Sequence, residues 1–394
     1  CLSMALAFLA FAWWIRLGQT ERIRFRAAVF VPLSVIVWIA HVSGWGALGL
    51  FVLAAEYVRM REAGEGRLSA IFKGALHCLP LALPMALMVV SREGAQGDTI
   101  HFFAWLSKFQ WFAMALSDKW QAFDVYSVVI LALLIVVTLL VPVLRFNQTL
   151  GLAALFLFVA FLCIPRVLFG SAYADMRLAP YILAMALLAI EPRPLDRPGI
   201  GEMLLVVGLA FFGVRTAATT ATFLDYDRDI RAELAAVDHI PRGARVLAFT
   251  GRSCRALWQQ QRWTHLPSIA LARKHVYIND QFIMAGAQLL GVRYPAAGPY
   301  FKDPSQMVVV DDCIRNDWRR LSVSVQTFPR DAFDYLWVIK PPVSKTVDYA
   351  GLEPVWRWRT SMLFRIPKTG QPQATPRTAS EPDPQGAAPA RKAR

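Results

Sequence analysis

The sequence predicts a mainly α-helical, polytopic transmembrane bundle of about eight spans, followed by a C-terminal α/β domain. Of the 394 residues, 56% are hydrophobic and only 18% are charged, whereas about a quarter of the residues are charged in soluble globular proteins. Long apolar runs fill residues 1–220, but residues 221–367 have the mixed polarity of a water-soluble domain. The two regions are therefore expected to fold in two different solvents.

Eight apolar segments of the first region have the composition of membrane spans, and each is bounded by charged residues, proline or glycine. They lie at residues 1–15, 27–40, 45–58, 70–90, 125–144, 149–169, 177–190 and 200–219. The chain begins with Cys1 inside the first apolar run, without a basic residue before it, so we expect the sequence to be truncated at its N-terminus.

The stretch at residues 27–58 fits either one long tilted helix or two short helices that turn at His41, Ser43 and Gly44. Basic residues flank this stretch at both ends, and only a hairpin places both basic ends on one side of the membrane. Because basic loops favour the inner side, we predict the hairpin. Residues 91–124 and the domain after the eighth span are then predicted to lie outside.

The second region opens with a polar helix, DRDIRAELAAVDHI, and then alternates short β-rich runs with turns. The strand candidates are ARVLAFTG, QMVVVDD, FDYLWVIK and WRWRTSMLFRI. This alternation predicts a small α/β sheet domain. Residues 368–394 are rich in proline and alanine without an apolar period, and we predict a disordered tail there.

Two of the five cysteines, Cys254 and Cys313, fall in the predicted α/β domain, each near the end of a strand candidate. In an oxidising compartment these two residues are candidates for a disulfide. A bridge closing a loop of about 60 residues contributes roughly 4 kcal/mol in the chain-entropy account.

The sequence contains none of the CxxC, HExxH, GxSxG or P-loop motifs that identify common enzyme classes. Asp311 and Asp312 end a strand candidate, where acids can bind metal, but a solvated loop pair is the simpler interpretation and we predict no metal site. The net charge of +14 is compatible with nucleic-acid binding. Many arginines nevertheless stand in short clusters between apolar runs, where they determine topology, so we expect membrane lipids as partners and no nucleic acid.

Five ionisable residues at the predicted outer surface are candidates for binding an anionic lipid headgroup. They are Arg177, Arg166, His41, Lys108 and Lys119. Arg166 and Arg177 bracket the short loop between the sixth and seventh spans, where guanidinium groups could clamp a phosphate with bidentate hydrogen bonds. The alternative is a pair between Asp175 and Arg177 that closes the loop, with Arg166 snorkelling to water.

The outer segment that contains both lysines, KFQWFAMALSDKWQAFD, is rich in tryptophan and phenylalanine. It predicts an amphipathic helix in the headgroup layer, with an aromatic belt that merely anchors the protein as the alternative. Lys108 and Lys119 either join a cationic rim with the arginines or serve as solvated anchors. His41 either contacts a headgroup or caps the tight turn of the hairpin.

The arrangement resembles the bacterial GT-C class of membrane glycosyltransferases, including the dolichyl-phosphate-mannose-related family and the arabinose and galacturonic acid lipid A transferases. The likeness rests on AHVSGWGALGL, KFQWFAMALSDKWQAFD, YADMRLAPYIL, IPRGARVL, HLPSIALARKHVYIND and FDYLWVIK. Members take a sugar from a polyprenyl-phosphate carrier and attach it to a lipid, glycan or protein. The resemblance implies a lipid-linked sugar as donor and partner, no evident cofactor, and a bacterial inner (plasma) membrane location with a periplasmic C-terminal domain.

By position, the resemblance gives Arg177 the carrier-phosphate role, with Arg166 second and His41 near the same cavity. The catalytic acids of this class lie in the first outer loop, and this sequence has no matching pair, so no residue present is assigned to catalysis. Two hypotheses follow: a glycosyltransferase-like enzyme, or a non-catalytic or transport protein that handles an envelope polysaccharide or lipid. Internal repeats, which are common in transporters, are not evident in the sequence.

Overall fold

A computed structural model describes the chain apart from its C-terminal tail and several short segments. The described residues are 2–19, 22–90, 98–168, 171–193, 199–254, 258, 262–283, 291–313, 318–341 and 347–368. The chain is mostly helical, with a C-terminal α/β region. It forms two compact units. The helical unit comprises Cys1–Ala232, Ser253–Leu266 and Gln281–Arg293, and the α/β unit comprises Glu233–Arg252, Pro267–Asp280 and Tyr294–Arg394.

The helical unit is built from α-helices that follow the apolar segments of the sequence. They are α1 Leu2–Gly18, α2 Ile23–Ala40, α3 Val42–Glu62, α4 Arg67–His77, α5 Leu83–Val90, α6 Trp105–Ala113, α7 Gln121–Leu140, α8 Gln148–Cys163, α9 Ala179–Leu188 and α10 Ile200–Leu234, whose last two residues belong to the α/β unit. Short antiparallel strand pairs lie in the connections between α7 and α10. These are β1 Leu144–Phe146 with β4 Ile190–Pro192, and β2 Val167–Leu168 with β3 Ser171–Ala172.

The eight apolar segments are mainly helical, but fewer than eight helices can cross a membrane by length and composition alone. Within the described ranges, three pass this test: α2, α7 and the helical run Ile200–His239 that begins with α10. The pair α4 and α5, bent by 43°, is a fourth if it forms one span. The apolar helices α1, α8 and α9 are too short, since a straight span needs about 20 residues, and the last turns of α3 carry charged residues.

The hairpin predicted for residues 27–58 is present. Helix α2 ends at Ala40, α3 begins at Val42, and the extended backbone of His41 turns the chain between them. Arg26, near the start of α2, forms an ion pair with Glu56, near the end of α3, at an Nη1–Oε1 distance of 2.9 Å. One continuous helix would hold these residues about 45 Å apart at 1.5 Å per residue, so the ion pair requires two antiparallel helices.

The glycine of the turn sequence AHVSGWG allows α1 and α3 to pack closely. A Cβ atom on Gly44 would lie 2.7 Å from the Cβ atom of Ser3 on α1, which is too close for any side chain. Small residues at helix contacts let backbones approach, and such contacts stabilise helix packing in an apolar solvent. Gly44 is therefore a packing residue of the hairpin.

The α/β unit contains a mixed sheet with mainly parallel central strands. Its elements are β5 Arg245–Gly251, α11 Ser268–Lys274, β6 Tyr277–Ile278, β7 Met307–Val309, β8 Arg319–Arg320, α12 Leu321–Thr327, β9 Tyr335–Ile339, β10 Glu353–Trp358 and β11 Ser361–Arg365. The strand order is β10-β11-β9-β5-β7-β8, and β6 also pairs with β5. Strands β5 to β9 are parallel, whereas β9, β11 and β10 are joined in antiparallel fashion.

All four strand candidates of the sequence form strands, but the last candidate forms two. Residues Arg359 and Thr360 turn the chain between β10 and β11, and Arg359 has a φ of 51°. Hairpin turns with positive φ usually contain glycine or asparagine. Because neither residue is present, the sequence did not indicate the turn.

The predicted boundary at residue 220 falls inside a helix. Helix α10 continues without a break from its apolar part into the polar sequence DRDIRAEL, and a 3₁₀ turn at Ala235–His239 follows. The structural division between the two units lies after Ala232. The predicted tail at residues 368–394 lies outside the described residues, apart from Lys368.

Topology of the helical unit can be tested with reporter fusions. Because the basic residues Arg193 and Arg197 precede α10, we expect this helix to begin on the inner side of a membrane and to end outside. Alkaline phosphatase, which is active only outside, should be active when fused after Ile240 and inactive when fused after Arg193. The opposite result would place the α/β unit on the inner side.

An ion-pair cluster joins the start of β5 to the residue before β9 in the α/β unit. Asp334 accepts hydrogen bonds from the Arg245 backbone N and Nε at 2.9 and 3.0 Å, and the Lys368 Nζ lies 3.2 Å from its carboxylate. Burial alone raises the pKa of Asp334, but the hydrogen bonds from Arg245 and Lys368 lower it to about 2.

This cluster predicts an acid-dependent contribution to stability. The pKa of Asp334 in the fold lies below the ordinary value of about 3.9, so its ion pairs stabilise the fold above about pH 4 and stop doing so as pH falls towards 2. We expect Asp334→Asn to cost about 1 kcal/mol at pH 7, since the pair is partly exposed to solvent, and almost nothing at pH 2. Urea unfolding of wild type and variant measures this, and an equal cost at both pH values would contradict it.

Candidate anion-binding site

The candidate site lies where α6 meets the loop that joins α8 to α9. Ser107, Lys108 and Trp111 occupy one side of α6 and face this loop. The segment before α6 pairs with the start of the loop, since the Arg166 N donates to His101 O at 3.2 Å and Ile100 forms an isolated bridge with Val167.

Three of the six non-glycine residues with a positive φ in the described part of the chain lie in the same place. His101, Phe103 and Tyr173 have φ values of 62°, 54° and 62° although none is a glycine. Such conformations cost free energy and persist where the surrounding structure imposes them, often at binding sites. We infer that the segment paired with the loop, at Ile100 and His101, and helix α6 impose this loop conformation.

Lys108 is buried and fully hydrogen-bonded. Only 2% of its surface is exposed, and its Nζ lies 2.6 Å from Phe161 O, 2.8 Å from Ile164 O and 3.3 Å from the carboxylate of Asp175. An ammonium group has three donors, and these three acceptors use them all. The expectation of a solvated anchor is wrong for Lys108, and the residue is placed to fix the loop and not to bind a ligand.

The aromatic side of α6 is exposed, as the sequence predicts, but the lysine of this helix is buried. Its exposed side carries large apolar residues, namely Trp105, Leu106 and Phe109, whereas its lysine faces the protein. This exposed aromatic side is what an interfacial helix presents to lipid. Helix α6 ends at Ala113 and α7 begins at Gln121, so only the first part of the predicted segment forms a short helix with an exposed aromatic side. Its location in a headgroup layer stays a prediction.

Asp175 is buried and begins the helical turn that leads into α9. It pairs with Lys108, and its Oδ1 accepts a hydrogen bond from the Met176 N at 2.8 Å. A pair between Asp175 and Arg177 was one interpretation of the loop. Because Lys108 already neutralises Asp175, closing the loop does not require the charge of Arg177.

The structure brings Arg177 and His41 close enough to interact. At the turn between α2 and α3, burial lowers the pKa of His41 and the positive charge of Arg177 lowers it further. The Nδ1 atom of His41 accepts a hydrogen bond from the Ser43 N at 3.0 Å and so caps α3. His41 therefore caps the turn, and the charge of Arg177, the arginine with which the family resemblance groups it, acts on its ring.

Arg166 is a half-buried cation without a carboxylate partner among the described residues. Its guanidinium lies over the rings of Trp111 and Tyr173, at 5.6 and 5.2 Å from their centroids. Its Nη1 is 3.5 Å from the Ser107 Oγ, which is a weak contact. Beside it, the buried Nε1 of Trp111 has no hydrogen-bond partner. Among the described residues, the site offers several hydrogen-bond donors and no negative charge to pair with Arg166, and such a set of donors suits an anion.

Lys119 belongs to a different place. Its Nζ lies 2.8 Å from the carboxylate of Asp225 on α10 in an exposed ion pair, and this hydrogen bond raises the pKa of Lys119. The lysine is a surface residue with a counter-charge, and the structure gives it no contact with Arg166.

A buried cluster of charged residues near Lys119 was not predicted from the sequence. Asp124, which is 1% exposed, accepts from Arg215 Nη1 at 2.7 Å, from Trp258 Nε1 at 2.8 Å and from the Asp118 N at 2.8 Å. Arg262 donates to Asp118 Oδ1 at 2.6 Å. The signal in the sequence was the lone arginine, Arg215, within an apolar run, since a charge in such a run needs a partner.

A second missed cluster lies at the other end of the α2–α3 hairpin. Glu56, which is 1% exposed, accepts from Arg26, from Arg59 and from Trp14 Nε1 at 2.8 Å. A cavity of about 110 Å³ adjoins it, lined by Trp14, Ile23, Arg26, Ala27, Leu76, His77 and Pro80. Every charge here has a partner, so this cluster supports the hairpin and offers no open site.

The cysteines of the described residues and their possible metal ligands do not identify a further functional site. Cys254 and Cys313 are each disulfide-bonded, whereas Cys78 and Cys163 are free thiols. The pairing of Cys254 with Cys313 stays a prediction. Within the described ranges no group of three or more His, Cys, Asp or Glu side chains is placed to hold a metal ion.

The chain was also compared with known proteins, and no protein-family model, curated protein or solved structure matches it. A function must therefore be inferred from the geometry of the site.

The role of Lys108 predicts a large difference between the two lysines. Lys108→Met leaves Asp175 as a buried charge without an opposite charge beside it, and we expect a loss of about 3–5 kcal/mol of unfolding free energy. Lys119→Met removes only an exposed pair and should change stability little. The double variant Lys108→Met with Asp175→Asn should recover part of the loss. Thermal unfolding in detergent measures all three, and equal stability of the two single variants would contradict the assignment.

Proposed function

We propose that this chain is an integral membrane glycosyltransferase-like protein that binds a polyprenyl-phosphate-linked sugar and passes the sugar to an envelope lipid or glycan. The observation that carries the proposal is the donor-rich site at Arg166, which has no carboxylate partner in the described structure and adjoins the unmatched Nε1 of Trp111. We further propose a bacterial inner-membrane location for the helical unit and a periplasmic location for the α/β unit.

A phosphate monoester or diester fits these donors well. Guanidinium binds phosphate oxygens in a bidentate fashion and keeps its charge at any relevant pH. The two rings under Arg166 hold the guanidinium plane in place by cation–π contact. A phosphate bound there would accept hydrogen bonds from Arg166 and from Trp111.

The surroundings favour a phosphate that is attached to a lipid. The exposed aromatic side of α6, formed by Trp105, Leu106 and Phe109, suits the headgroup layer. Arg166 contacts residues on the opposite side of this helix, so its guanidinium would lie at the depth of lipid phosphates. A polyprenyl chain would then extend along the apolar helices of the same unit.

In a transfer reaction, the acceptor hydroxyl attacks the anomeric carbon of the sugar and the polyprenyl phosphate leaves with the bonding electrons. Arg166, and Arg177 beside His41, would stabilise the negative charge of that leaving phosphate. A carboxylate must take the proton of the acceptor hydroxyl. We assign that role to none of the described carboxylates.

One observation favours the alternative, a non-catalytic protein that binds or transports an envelope lipid or polysaccharide. The carboxylate of the loop itself, Asp175, is buried and held by Lys108 and the Met176 N. It is therefore not available as a general base. A protein of this kind would use the same phosphate site without breaking the bond to the sugar.

The phosphate site is tested by binding of polyprenyl phosphate to the full chain in lipid nanodiscs. We expect Arg166→Gln to weaken binding by about tenfold or more, since a charged hydrogen bond is lost. The affinity of Arg166→Lys should lie between those of Arg166→Gln and wild type, because lysine keeps the positive charge but loses the bidentate hydrogen bonds of the guanidinium group. The control is Arg231→Gln, which removes an exposed arginine paired with Asp227. Binding unchanged by both Arg166 substitutions would refute the proposed site.

The two functions separate in a second measurement with the same samples. Polyprenyl phosphate that carries labelled arabinose or galacturonic acid is offered together with a lipid A acceptor. An enzyme moves label to the acceptor and releases free polyprenyl phosphate. Binding that depends on Arg166 without any release of label would favour the non-catalytic alternative.

A further inference from the structure

At the carboxyl edge of the parallel strands in the α/β unit lies a second arginine, Arg252, for which the described part of the chain supplies no counter-charge. Strand β5 is the centre of the sheet, with β9 on one side and β6 and β7 on the other. Arg252 follows β5 directly. In open sheets with parallel strands, ligands bind beyond the carboxyl ends of the strands, near the place where the chain order reverses.

The Arg252 side chain is held in position, but its N–H donors have few acceptors. Its backbone N donates to Val308 O at 2.7 Å, which continues the ladder between β5 and β7. Its guanidinium lies 4.5 Å from the ring centroid of Trp318. Its Nη1 is 3.0 Å from the Met307 Sδ, and a thioether sulfur is only a weak acceptor.

Two buried polar atoms at this edge have no hydrogen-bond partner. One is the Nε of Arg252, and the other is the Oγ1 of Thr250, a residue that is 1% exposed. No carboxylate pairs with Arg252 among the described residues. Buried donors without acceptors are rare because each costs free energy comparable to a lost hydrogen bond. Their occurrence together indicates that something else supplies the acceptors.

We propose that Thr250, Arg252 and Trp318 form a binding site for the carboxylate or phosphate group of a small ligand. An oxyanion would accept from the Nε of Arg252 and from the Thr250 hydroxyl and would neutralise the guanidinium. The stacking on Trp318 fixes the plane of the guanidinium, so that its fork is preorganised for two oxygens. This site stands on residues of the α/β unit alone and does not depend on the function proposed for the helical unit.

The test uses the purified full chain in detergent and isothermal titration calorimetry. The probes are glucuronate as a carboxylate, glucose 1-phosphate as a phosphate, and glucose as the neutral match. We expect at least one anionic probe to bind more tightly than glucose, and its identity shows which oxyanion the site takes. The proposal is overturned if, at millimolar concentration, both anionic probes bind no more tightly than glucose.

Substitution locates the binding. Arg252→Gln should weaken the anion's affinity by about tenfold or more, as expected for loss of a charged hydrogen bond. The matched control is Arg330→Gln, because Arg330 also lies near a ring, that of Phe328 at 5.9 Å, but donates to Ala350 O and Gly351 O. The titrations are repeated in the Arg166→Gln background, where binding to the Arg252 site should persist. Equal affinity in Arg252→Gln and wild type would overturn the proposal.

A measurement on the wild-type chain removes any dependence on the folding of the variants. Phenylglyoxal modifies accessible arginines, and mass spectrometry of the peptides reports the extent at each one. The anionic probe should protect Arg252 and leave Arg330 unchanged, whereas glucose should protect neither. Equal modification of Arg252 with and without a saturating anionic probe would again overturn the site.

Discussion

A charge that leaves water for an apolar interior needs an opposite charge beside it, and this requirement determines much of the helical unit. An unpaired buried ion costs several kcal/mol, which is a large part of the net stability of a protein. Among the described residues, three pairs with a buried carboxylate meet the requirement, and their partners stand 30, 67 and 91 positions apart in the sequence. They are Arg26 of α2 with Glu56 of α3, Lys108 of α6 with Asp175 before α9, and Arg215 of α10 with Asp124 of α7. Each pair fixes which helices are neighbours.

Local patterns in the sequence predicted what depends on local physics. The apolar runs gave the helices, the charge at both ends of residues 27–58 gave the hairpin, and period-two runs gave the strands. The number of independent spans was overestimated, because α1, α8 and α9 are apolar but too short to cross alone. The turn between β10 and β11 was missed because Arg359 adopts a positive φ without the residue types that usually do so.

The site could be predicted only in part, because a sequence shows where a charge is and not whether it has a partner. Topology drew attention to Arg166 and Arg177, and the structure places both in or beside one loop. The same reasoning treated Lys108 as a surface residue. Its ammonium group instead donates to Phe161 O in α8, to the O of Ile164, the residue that caps α8, and to Asp175 in the loop that follows. Asp124 and Arg215 are 91 residues apart, and no local pattern connects them.

Comparison of the arginines separates structural cations from candidate binding groups. Arg245 and Arg215 each hold a carboxylate at hydrogen-bond distance, so an incoming anion would have to displace a bonded partner. Arg166 and Arg252 instead rest on aromatic rings, and each adjoins a buried polar atom without a partner, Trp111 Nε1 in one case and Thr250 Oγ1 in the other. Cation–π contact orients a guanidinium without using its N–H donors. A fold that only needed to neutralise these arginines would have placed an acid beside them, as it does for Arg26, Lys108 and Arg215. In the described part of the chain no carboxylate pairs with Arg166 or Arg252, and their unused donors are therefore the feature that ligand binding explains.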